Sequence, residues 1–366
     1  MLNSQTRNLL FIFIAILFSV SCSQKVEVER AFYYWKTNEY RFEKQERSLI
    51  SKVEPKTIYV KFFEVEKDGV FGAAPVSKTR FSVKSCNYEG DYGFCFDSTF
   101  CDSFKSVNVI PTVFVKNDVF KVVNSQEIDT LASNIIFLVN KYFKQKDFES
   151  ISSLKEIQID CDWTPSTKEN YFSLLKSIQN QTKAEISVTL RLYPFKYREK
   201  MGIPPVSKAT LMCYNYFNPL QRLEENSIQN NEELKLYLKG ADNYPLHLDI
   251  ALPVFNYAFL FHNKQFAGVL RGVEGEIDSF CKPMEGSDLL YAVTKDTVID
   301  NSYLRVGDQL KIELSNTQQV LESIDLLKNY IQFDGKTRIT LFHLDAERTN
   351  ELNHEEIISI YKHFAE

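Results

Sequence analysis

Two aspartates two residues apart, Asp160 and Asp162, are the side chains of this sequence best suited to acid–base chemistry. They lie in the run Ile157–Trp163, in which apolar and polar residues alternate, and alternate side chains of a strand point to the same face. Both carboxyl groups therefore share one face, with Cα atoms roughly 7 Å apart. Paired carboxylates are the basic tool of glycoside hydrolysis, in which one protonates the leaving oxygen and the other attacks or activates water. Such a pair also suits a divalent cation, so that alternative stays open.

The same alternation recurs in other strand-like runs. In Ile186–Tyr193 the polar face includes Arg191 and Tyr193, and in Leu246–Leu252 it includes Asp249. We predict that these polar faces converge on one site, which holds Asp160 and Asp162 as the catalytic pair. The predicted substrate-binding residues are Trp163, Arg191, Tyr193, Tyr214, Asn215, Asp249, Glu313 and Asp345.

The elements that must position these residues form a repeating pattern of strand and helix. About eight strand-like runs alternate with helical patterns over some 310 residues, which predicts a (β/α)₈, TIM-like barrel. The runs are Thr57–Val65, Val107–Val115, Ile157–Trp163, Ile186–Tyr193, Ala209–Phe217, Leu246–Val254, Gln309–Leu314 and Arg338–Asp345. Two insertions interrupt the pattern: a Cys-rich loop within residues 66–106, and a β-rich segment, 255–308, between the sixth and seventh runs. An open mixed sheet is the structural alternative.

Two interpretations of the polar faces remain open at this point. Isolated charges in a core cost several kcal/mol each unless they are paired or hydrated, so a barrel that keeps many of them can use some in a site. Equally, large barrels carry paired structural charges inside. Rim aromatics, including Tyr216, Phe217 and Tyr257, suit either sugar stacking or ordinary packing. No Glu lies near the third or fourth strand end, which weighs against catalysis, and we leave the question of an enzyme undecided.

The amino-terminal residues carry the pattern of an export and lipidation signal. An unbroken apolar run, Leu9–Phe18, is too short to span a bilayer and fits the core of a signal peptide. Small residues and then Cys22 follow, a pattern that resembles the lipobox of bacterial lipoproteins, although Ser19 stands where that family usually has an aliphatic residue. The resemblance implies a palmitate-type lipid anchor on Cys22, and Ser23 implies the outer membrane. An ordinary secretory signal is the alternative.

These observations give the predicted domains and partners. Residues 1–21 form the lipoprotein signal peptide, 22–55 the lipid anchor and tether, and 56–366 the barrel. The partners are the membrane of the cell envelope, through the lipid, and a glycan ligand. The membrane face, periplasmic or surface-exposed, is not predicted.

Composition excludes several classes. The 366 residues are 44% hydrophobic and 25% charged with a net charge of −5, which suits a large core and argues against a nucleic-acid binder. Nucleotide-binding loops, the HExxH zinc motif and the GxSxG elbow are absent, and we predict neither cofactor nor metal.

Five of the seven cysteines divide into two groups. Cys161 and Cys213 lie in predicted core strands and should be buried thiols, whereas Cys86, Cys95 and Cys101 share one polar loop in which one disulfide is plausible.

Long stretches of the chain resemble one family of bacterial envelope lipoproteins, of uncharacterised activity, with a glycoside-hydrolase-like TIM-barrel domain. The resemblance implies an envelope lipoprotein with a barrel related in shape to sugar-cleaving enzymes, which binds or hydrolyses glycans or serves as a non-catalytic binding or scaffold protein. It implies no particular activity, because fold analogy does not assign function. The stretches are IQIDCDWTPSTKENYFSLL from Ile157, ISVTLRLY from Ile186, GIPPVSKATLMCYNYFNP from Gly202, YPLHLDIALPVFNYAFLF from Tyr244 and YLRVGD from Tyr303.

Overall fold

The computed structural model describes most of the chain from residue 26 onward. The described residues are 26–36, 42–69, 72–76, 107–145, 153–241, 243–270, 273, 277–333, 335–345 and 353–366. The predicted signal peptide, the lipidation site Cys22 and the three cysteines of the Cys-rich loop lie outside them. Cys161 and Cys213 are free and buried, as predicted.

Sixteen strands are present in the described residues. In chain order they are β1 (Glu27–Tyr34), β2 (Thr57–Asp68), β3 (Gly72–Val76), β4 (Asn108–Val115), β5 (Glu156–Asp160), β6 (Glu185–Arg191), β7 (Lys208–Met212), β8 (His247–Pro253), β9 (Asn256–His262), β10 (Gln265–Leu270), β11 (Cys281–Pro283), β12 (Leu290–Val293), β13 (Thr297–Ile299), β14 (Ser302–Leu304), β15 (Gln309–Leu314) and β16 (Lys336–Phe342).

Eight of these strands are parallel and close into a barrel in the order β1, β2, β4, β5, β6, β7, β8 and β16. The first strand makes the closure, because β1 pairs in parallel with both β2 and β16. β3 extends β2 as an antiparallel hairpin. The predicted (β/α)₈ architecture is confirmed, and the open mixed sheet is wrong.

Two of the predicted strand assignments need correction. The barrel begins at Glu27, inside the segment 22–55 that the sequence assigned to the tether. The run Gln309–Leu314 forms β15, which pairs antiparallel with β9 and β12 outside the barrel. The β-rich insertion therefore follows the seventh barrel strand, β8, and precedes the eighth, β16.

Helices cover the outside of the barrel. They are α1 (Lys44–Val53), α2 (Ser125–Gln145), α3 (Lys168–Gln181), α4 (Leu192–Lys196), α5 (Arg198–Met201), α6 (Asn231–Leu238), α7 (Thr317–Tyr330) and α8 (His354–Ala365), with 3₁₀ turns at Asn117–Lys121 and Ile277–Ser279. The capping box of Asn353 and Glu356 starts α8, as their spacing predicts. None of the helices in the described part of the chain is long and apolar enough to cross a bilayer.

Strand alternation divides the core into two parts. Residues such as Ile157 and Ile159 face outward and pack with the helices in the main apolar layer. The intervening residues face the barrel axis, where a smaller cluster includes Tyr33, Tyr59 and Tyr214. The insertion has its own apolar core between β9, β12 and β15. The polar faces of the runs that form barrel strands therefore point inward, as predicted.

A glycine that follows α5 allows a test, by substitution, of how tightly the side chains beside the barrel wall are packed. Gly202 has φ +75°, a conformation that side chains rarely adopt, and a Cβ there would lie 2.8 Å from the Phe172 ring. We expect Gly202→Ala to lower the free energy of unfolding by about 2–4 kcal/mol, from strain and overpacking together. Gly240 has φ +76° but open space around it, so Gly240→Ala should cost only about 1–2 kcal/mol. Urea denaturation of both variants measures the difference, and equal losses would show that Phe172 moves aside freely.

Candidate functional site

Charged residues fill the amino-terminal end of the barrel as one ion network. The Arg338 guanidinium lies 2.7 Å from Glu29, 3.3 Å from Glu156 and 3.5 Å from Asp249, and donates to the Tyr59 hydroxyl at 2.5 Å. All of these side chains are largely buried. Two further cations, Lys336 at 2.6 Å from Glu29 and Lys208 at 2.6 Å from Glu156, balance the three carboxylates, which suits a structural role.

Asp249 therefore lies at the wrong end for the predicted site. Its carboxylate accepts the Arg338 backbone N–H at 2.8 Å and lies 3.3 Å from His247. It occupies the third position of β8, close to where the strand enters the barrel. The prediction that Asp249 contacts substrate is corrected on this ground.

A neutral polar layer separates this network from the carboxyl-terminal end. The Tyr33 hydroxyl donates to Gln158 at 2.8 Å, and the Gln158 amide donates to Thr210 at 3.1 Å. Burial raises the pKa of Tyr33 further above its ordinary value, so the phenol keeps its proton and acts as a donor. The polar groups at the carboxyl-terminal end of the barrel are therefore separated from the ion network at the amino-terminal end.

A pocket of about 480 Å³ opens at the carboxyl-terminal ends of β6 and β7, the end at which barrel enzymes hold their sites. Four predicted residues line it: Arg191, Tyr193, Tyr214 and Asn215. The other lining residues are Leu192, Met212, Tyr216, Phe217, Asn218, Pro219, Ser227, Tyr237, Tyr257 and Phe259. Seven of the lining side chains are thus aromatic, and they surround a cation and two amides.

Tyr214 forms the floor of this pocket. It is 2% exposed, its ring stacks on Phe342 at 5.0 Å, and the Phe255 ring meets it edge-on at 5.9 Å. Its hydroxyl is buried without a hydrogen-bond partner among the described residues. Burial raises the pKa of this phenol well above its usual value, so it remains a donor at neutral pH. An unpaired buried hydroxyl costs about 1–3 kcal/mol, which a ligand oxygen would recover where the neighbouring side chains move enough to admit it.

The two aspartates at the end of β5 differ in environment. Asp160 is 8% exposed and accepts a hydrogen bond from the Thr189 hydroxyl at 2.5 Å. Burial raises the pKa of Asp160 to about 6, and the Asp162 carboxylate adds to the shift. Against this, the Thr189 hydrogen bond and the charges of Arg191 and Lys61 lower that pKa. Asp160 is therefore able to hold a proton close to neutral pH.

Asp162 lies nearer the solvent and connects to the pocket. Its side chain is 59% exposed, and one carboxylate oxygen is 3.1 Å from the Arg191 Nε. Arg191 also lines the pocket. The pair of acids and the aromatic pocket are thus joined through a single guanidinium.

Two other predicted residues lie apart from this pocket. Trp163 is buried in the outer layer, where it stacks on Tyr171 at 5.2 Å and donates to the Met201 carbonyl at 3.0 Å. Asp345 is buried beyond β16, 3.9 Å from Lys36. Trp163 is thereby corrected to a packing residue, while Asp345 lies at the correct end of the barrel but outside the pocket lining.

Glu313 belongs to the insertion rather than to a barrel strand. Its side chain is fully buried, with Lys311 at 2.6 Å and the Ser227 hydroxyl at 2.5 Å. Since Ser227 lines the pocket, Glu313 lies behind the wall and supports it. The prediction that Glu313 binds substrate directly is corrected accordingly.

Several lining residues are not predicted by the sequence. Tyr237 comes from α6, Phe259 from β9, and Ser227 and Asn218 from the long loop after β7. Their positions follow from how the loop and the insertion fold back over the mouth, which no local pattern reveals. The described residues contain no group of three His, Cys, Asp or Glu placed to hold a metal ion.

Comparison with known proteins bears on the fold. No family model matches the chain, and no curated protein matches it in sequence. The spore cortex-lytic enzyme SleL of Bacillus megaterium is similar in structure, with a TM-score of 0.53 and 14% identity over 93% of this chain and 75% of that one. The Ostrinia furnacalis Group IV chitinase has a TM-score of 0.51 and 11% identity over 93% of this chain and 100% of that one.

The chain therefore shares the TIM-barrel fold of these two structures. At such low identity the likeness establishes the fold alone, and the activity must be argued from the site.

Proposed function

We propose that the protein is a lipid-anchored protein of the bacterial cell envelope, at the outer membrane, whose barrel mouth binds a glycan. The pocket lining carries this proposal: seven aromatic side chains surround Arg191, Asn215 and Asn218. Apolar faces with a few convergent polar groups suit a ligand whose rings have C–H faces and hydroxyl edges. The anchor is proposed from the apolar run Leu9–Phe18 and Cys22.

The names of the structural neighbours agree with this proposal, since one is a spore cortex-lytic enzyme and the other a chitinase. What this chain binds is inferred from its own pocket, in which aromatic area and hydrogen-bonding groups are mixed.

The binding test removes one oxygen from the pocket floor. We expect Tyr214→Phe to weaken glycan affinity about tenfold, because the ligand loses a buried hydrogen bond of roughly 1.4 kcal/mol. A glycan array with the purified full chain would identify the ligand, and calorimetry would measure its affinity for wild type and variant.

Tyr171→Phe is the matched control. The Tyr171 hydroxyl is also buried and unpartnered among the described residues, but its ring packs in the outer core against Trp163. This variant should bind the glycan as wild type does. Failure of the wild-type protein to bind any glycan, or equal affinity for Tyr214→Phe, would contradict the proposal.

Hydrolysis of the bound glycan is the second candidate function. It is favoured by the pair at the end of β5, in which a protonated Asp160 would serve as acid and Asp162 as nucleophile, base or electrostatic partner. Without that chemistry the protein would be a non-catalytic binding or scaffold lipoprotein.

A further inference from the structure

The distance along the chain between Cys22 and the first barrel strand restricts how the barrel sits on a membrane. Cys22 lies five residues before Glu27, where β1 begins. Five residues span at most about 18 Å even when fully extended. From Glu27 the eight residues of β1 run toward the mouth, over about 26 Å. A lipid on Cys22 therefore cannot draw the mouth against the bilayer that holds the lipid.

We propose that the barrel stands on its membrane with the amino-terminal ends of its strands against anionic phospholipid headgroups, so that the mouth faces away from the bilayer. This inference rests on the proposed lipid anchor at Cys22. Chain length alone excludes a mouth-down arrangement but allows the barrel to lie on the helices that flank β1.

Charge at the amino-terminal end favours the upright arrangement. Three exposed lysines lie in segments that lead into barrel strands: Lys56 before β2, Lys155 before β5 and Lys183 before β6. None of the three makes an ion pair with another described residue. They surround the barrel opening on the side from which the tether starts.

The acidic groups described at this end leave these lysines in excess. Glu27 lies 4.0 Å from Lys336, and Glu185 lies 3.3 Å from Lys208, and these two lysines also pair with the buried acids Glu29 and Glu156. Glu54, which caps the end of α1, and Glu366, which follows α8, are the other exposed acids described there, and the exposed lysines Lys52 and Lys144 in the last turns of α1 and α2 offset them. The acids inside the opening are held by Arg338.

An anionic bilayer is the partner that this surface fits. A lysine held close to such a surface strengthens association by about fivefold, and the effect fades within a Debye length. Because the acyl chains already keep the protein at the bilayer, modest attraction by three lysines is sufficient to set its orientation.

The orientation also restricts the glycan class. A mouth that faces away from the bilayer reaches soluble or polymeric glycans on the far side of the protein. Headgroup sugars of glycolipids in the anchoring membrane would lie at the opposite end of the barrel, beyond its reach.

The test measures the distance of three faces from the bilayer. The full acylated protein would be reconstituted into vesicles of phosphatidylethanolamine and phosphatidylglycerol that contain a headgroup nitroxide lipid. One fluorophore would be placed on an exposed residue in each of three variants: Gln332 at the amino-terminal end, Ser48 on α1 beside β1, or Glu224 in the loop above the mouth. We expect the strongest quenching at Gln332 and the weakest at Glu224.

Charge reversal gives a second measurement. Lys56→Glu, Lys155→Glu and Lys183→Glu combined should weaken quenching at Gln332, as should vesicles of phosphatidylcholine alone. Reversal of the exposed insertion lysines Lys264, Lys282 and Lys295 is the matched control and should leave the quenching unchanged.

The outcomes separate the two proposals. Intact mass reports acylation, which Cys22→Ser must abolish, and an unmodified Cys22 would overturn the anchor and the orientation together. Acylated protein with the strongest quenching at Ser48 or Glu224 would overturn the orientation alone, and glycan binding by the Tyr214 pocket would be unaffected.

Discussion

Arg338→Met is expected to lower the free energy of unfolding by about 3–5 kcal/mol, because it leaves three buried carboxylates without their shared cation. Glu29, Glu156 and Asp249 all lie within 3.5 Å of the guanidinium. Methionine fills much of the same volume, so the loss reports charge rather than a cavity. Chemical denaturation at pH 7 measures it.

The same variant should change the acid side of the stability profile. Burial raises the pKa of Glu29, but the charge of Arg338 and hydrogen bonds from Lys336, Thr57 and Arg338 outweigh it and hold that pKa at about 2. A carboxylate with a lowered pKa stabilises the fold above its unfolded pKa of 4.5, and this stability is lost as the pH falls toward 2. Without Arg338 the dependence of stability on pH between 4.5 and 2 should become shallower.

Lys336→Met is the matched control for this prediction. Lys336 also pairs with Glu29, at 2.6 Å, but its side chain is 52% exposed. An exposed ion pair contributes about 0–1 kcal/mol, so the control should lose little stability. Equal losses in the two variants would mean that the network inside the barrel is hydrated and that Arg338 has no special structural role.

Much of the barrel follows from the sequence because strand alternation is a local property. The run Ile157–Trp163 shows which side chains face the helices and which face the axis, and the structure keeps that division. Two errors arose where local pattern is ambiguous. β1 begins with the charged residues Glu27, Glu29 and Arg30, which look like a tether until Arg338 on the neighbouring strand β16 neutralises Glu29. β15 alternates as a barrel strand would, and only its antiparallel partners reveal that it lies elsewhere.

The sequence predicts which face of its strand a site residue occupies, but not the height of that residue along the barrel axis. Alternation indicates that Asp160 and Asp249 both point inward, yet the first lies near the mouth and the second in the ion network at the opposite end. The height of a residue along the barrel axis depends on where its strand enters the barrel, which is set by pairing with the neighbouring strands. Lining residues such as Tyr237 and Phe259 come from segments far apart in the chain, so their convergence required the folded structure.

Asp160→Asn is expected to abolish any glycan hydrolysis while it stabilises the fold at neutral and alkaline pH. The protonated form of Asp160 is favoured by burial and by the Asp162 charge, so its pKa is about 6 in the folded protein against 3.8 for the free side chain. A raised carboxyl pKa means that stability falls as the pH rises from about 4 to 6, since the folded state must then ionise a buried acid. Asparagine is uncharged at every pH and still accepts the Thr189 hydrogen bond.

The expected gain is about 2–3 kcal/mol above pH 7, from roughly two pKa units at about 1.4 kcal/mol each. Turnover, if present, should fall by about 10²–10⁴-fold, the usual contribution of a positioned acid. Thermal or urea unfolding between pH 4 and 9 gives the stability profile, and release of reducing sugar from the glycan identified by binding gives turnover.

Asp162→Asn completes the comparison. Because the Asp162 side chain is 59% exposed, its loss should change the free energy of unfolding by less than about 1 kcal/mol, although it also removes the ion pair with Arg191. A catalytic pair would lose turnover in both variants, with stability raised in one and nearly unchanged in the other. If Asp160→Asn instead destabilised the protein at pH 8, Asp160 would be a structural acid. Undiminished turnover in both variants would remove the pair from any hydrolytic mechanism and leave the pocket a binding site.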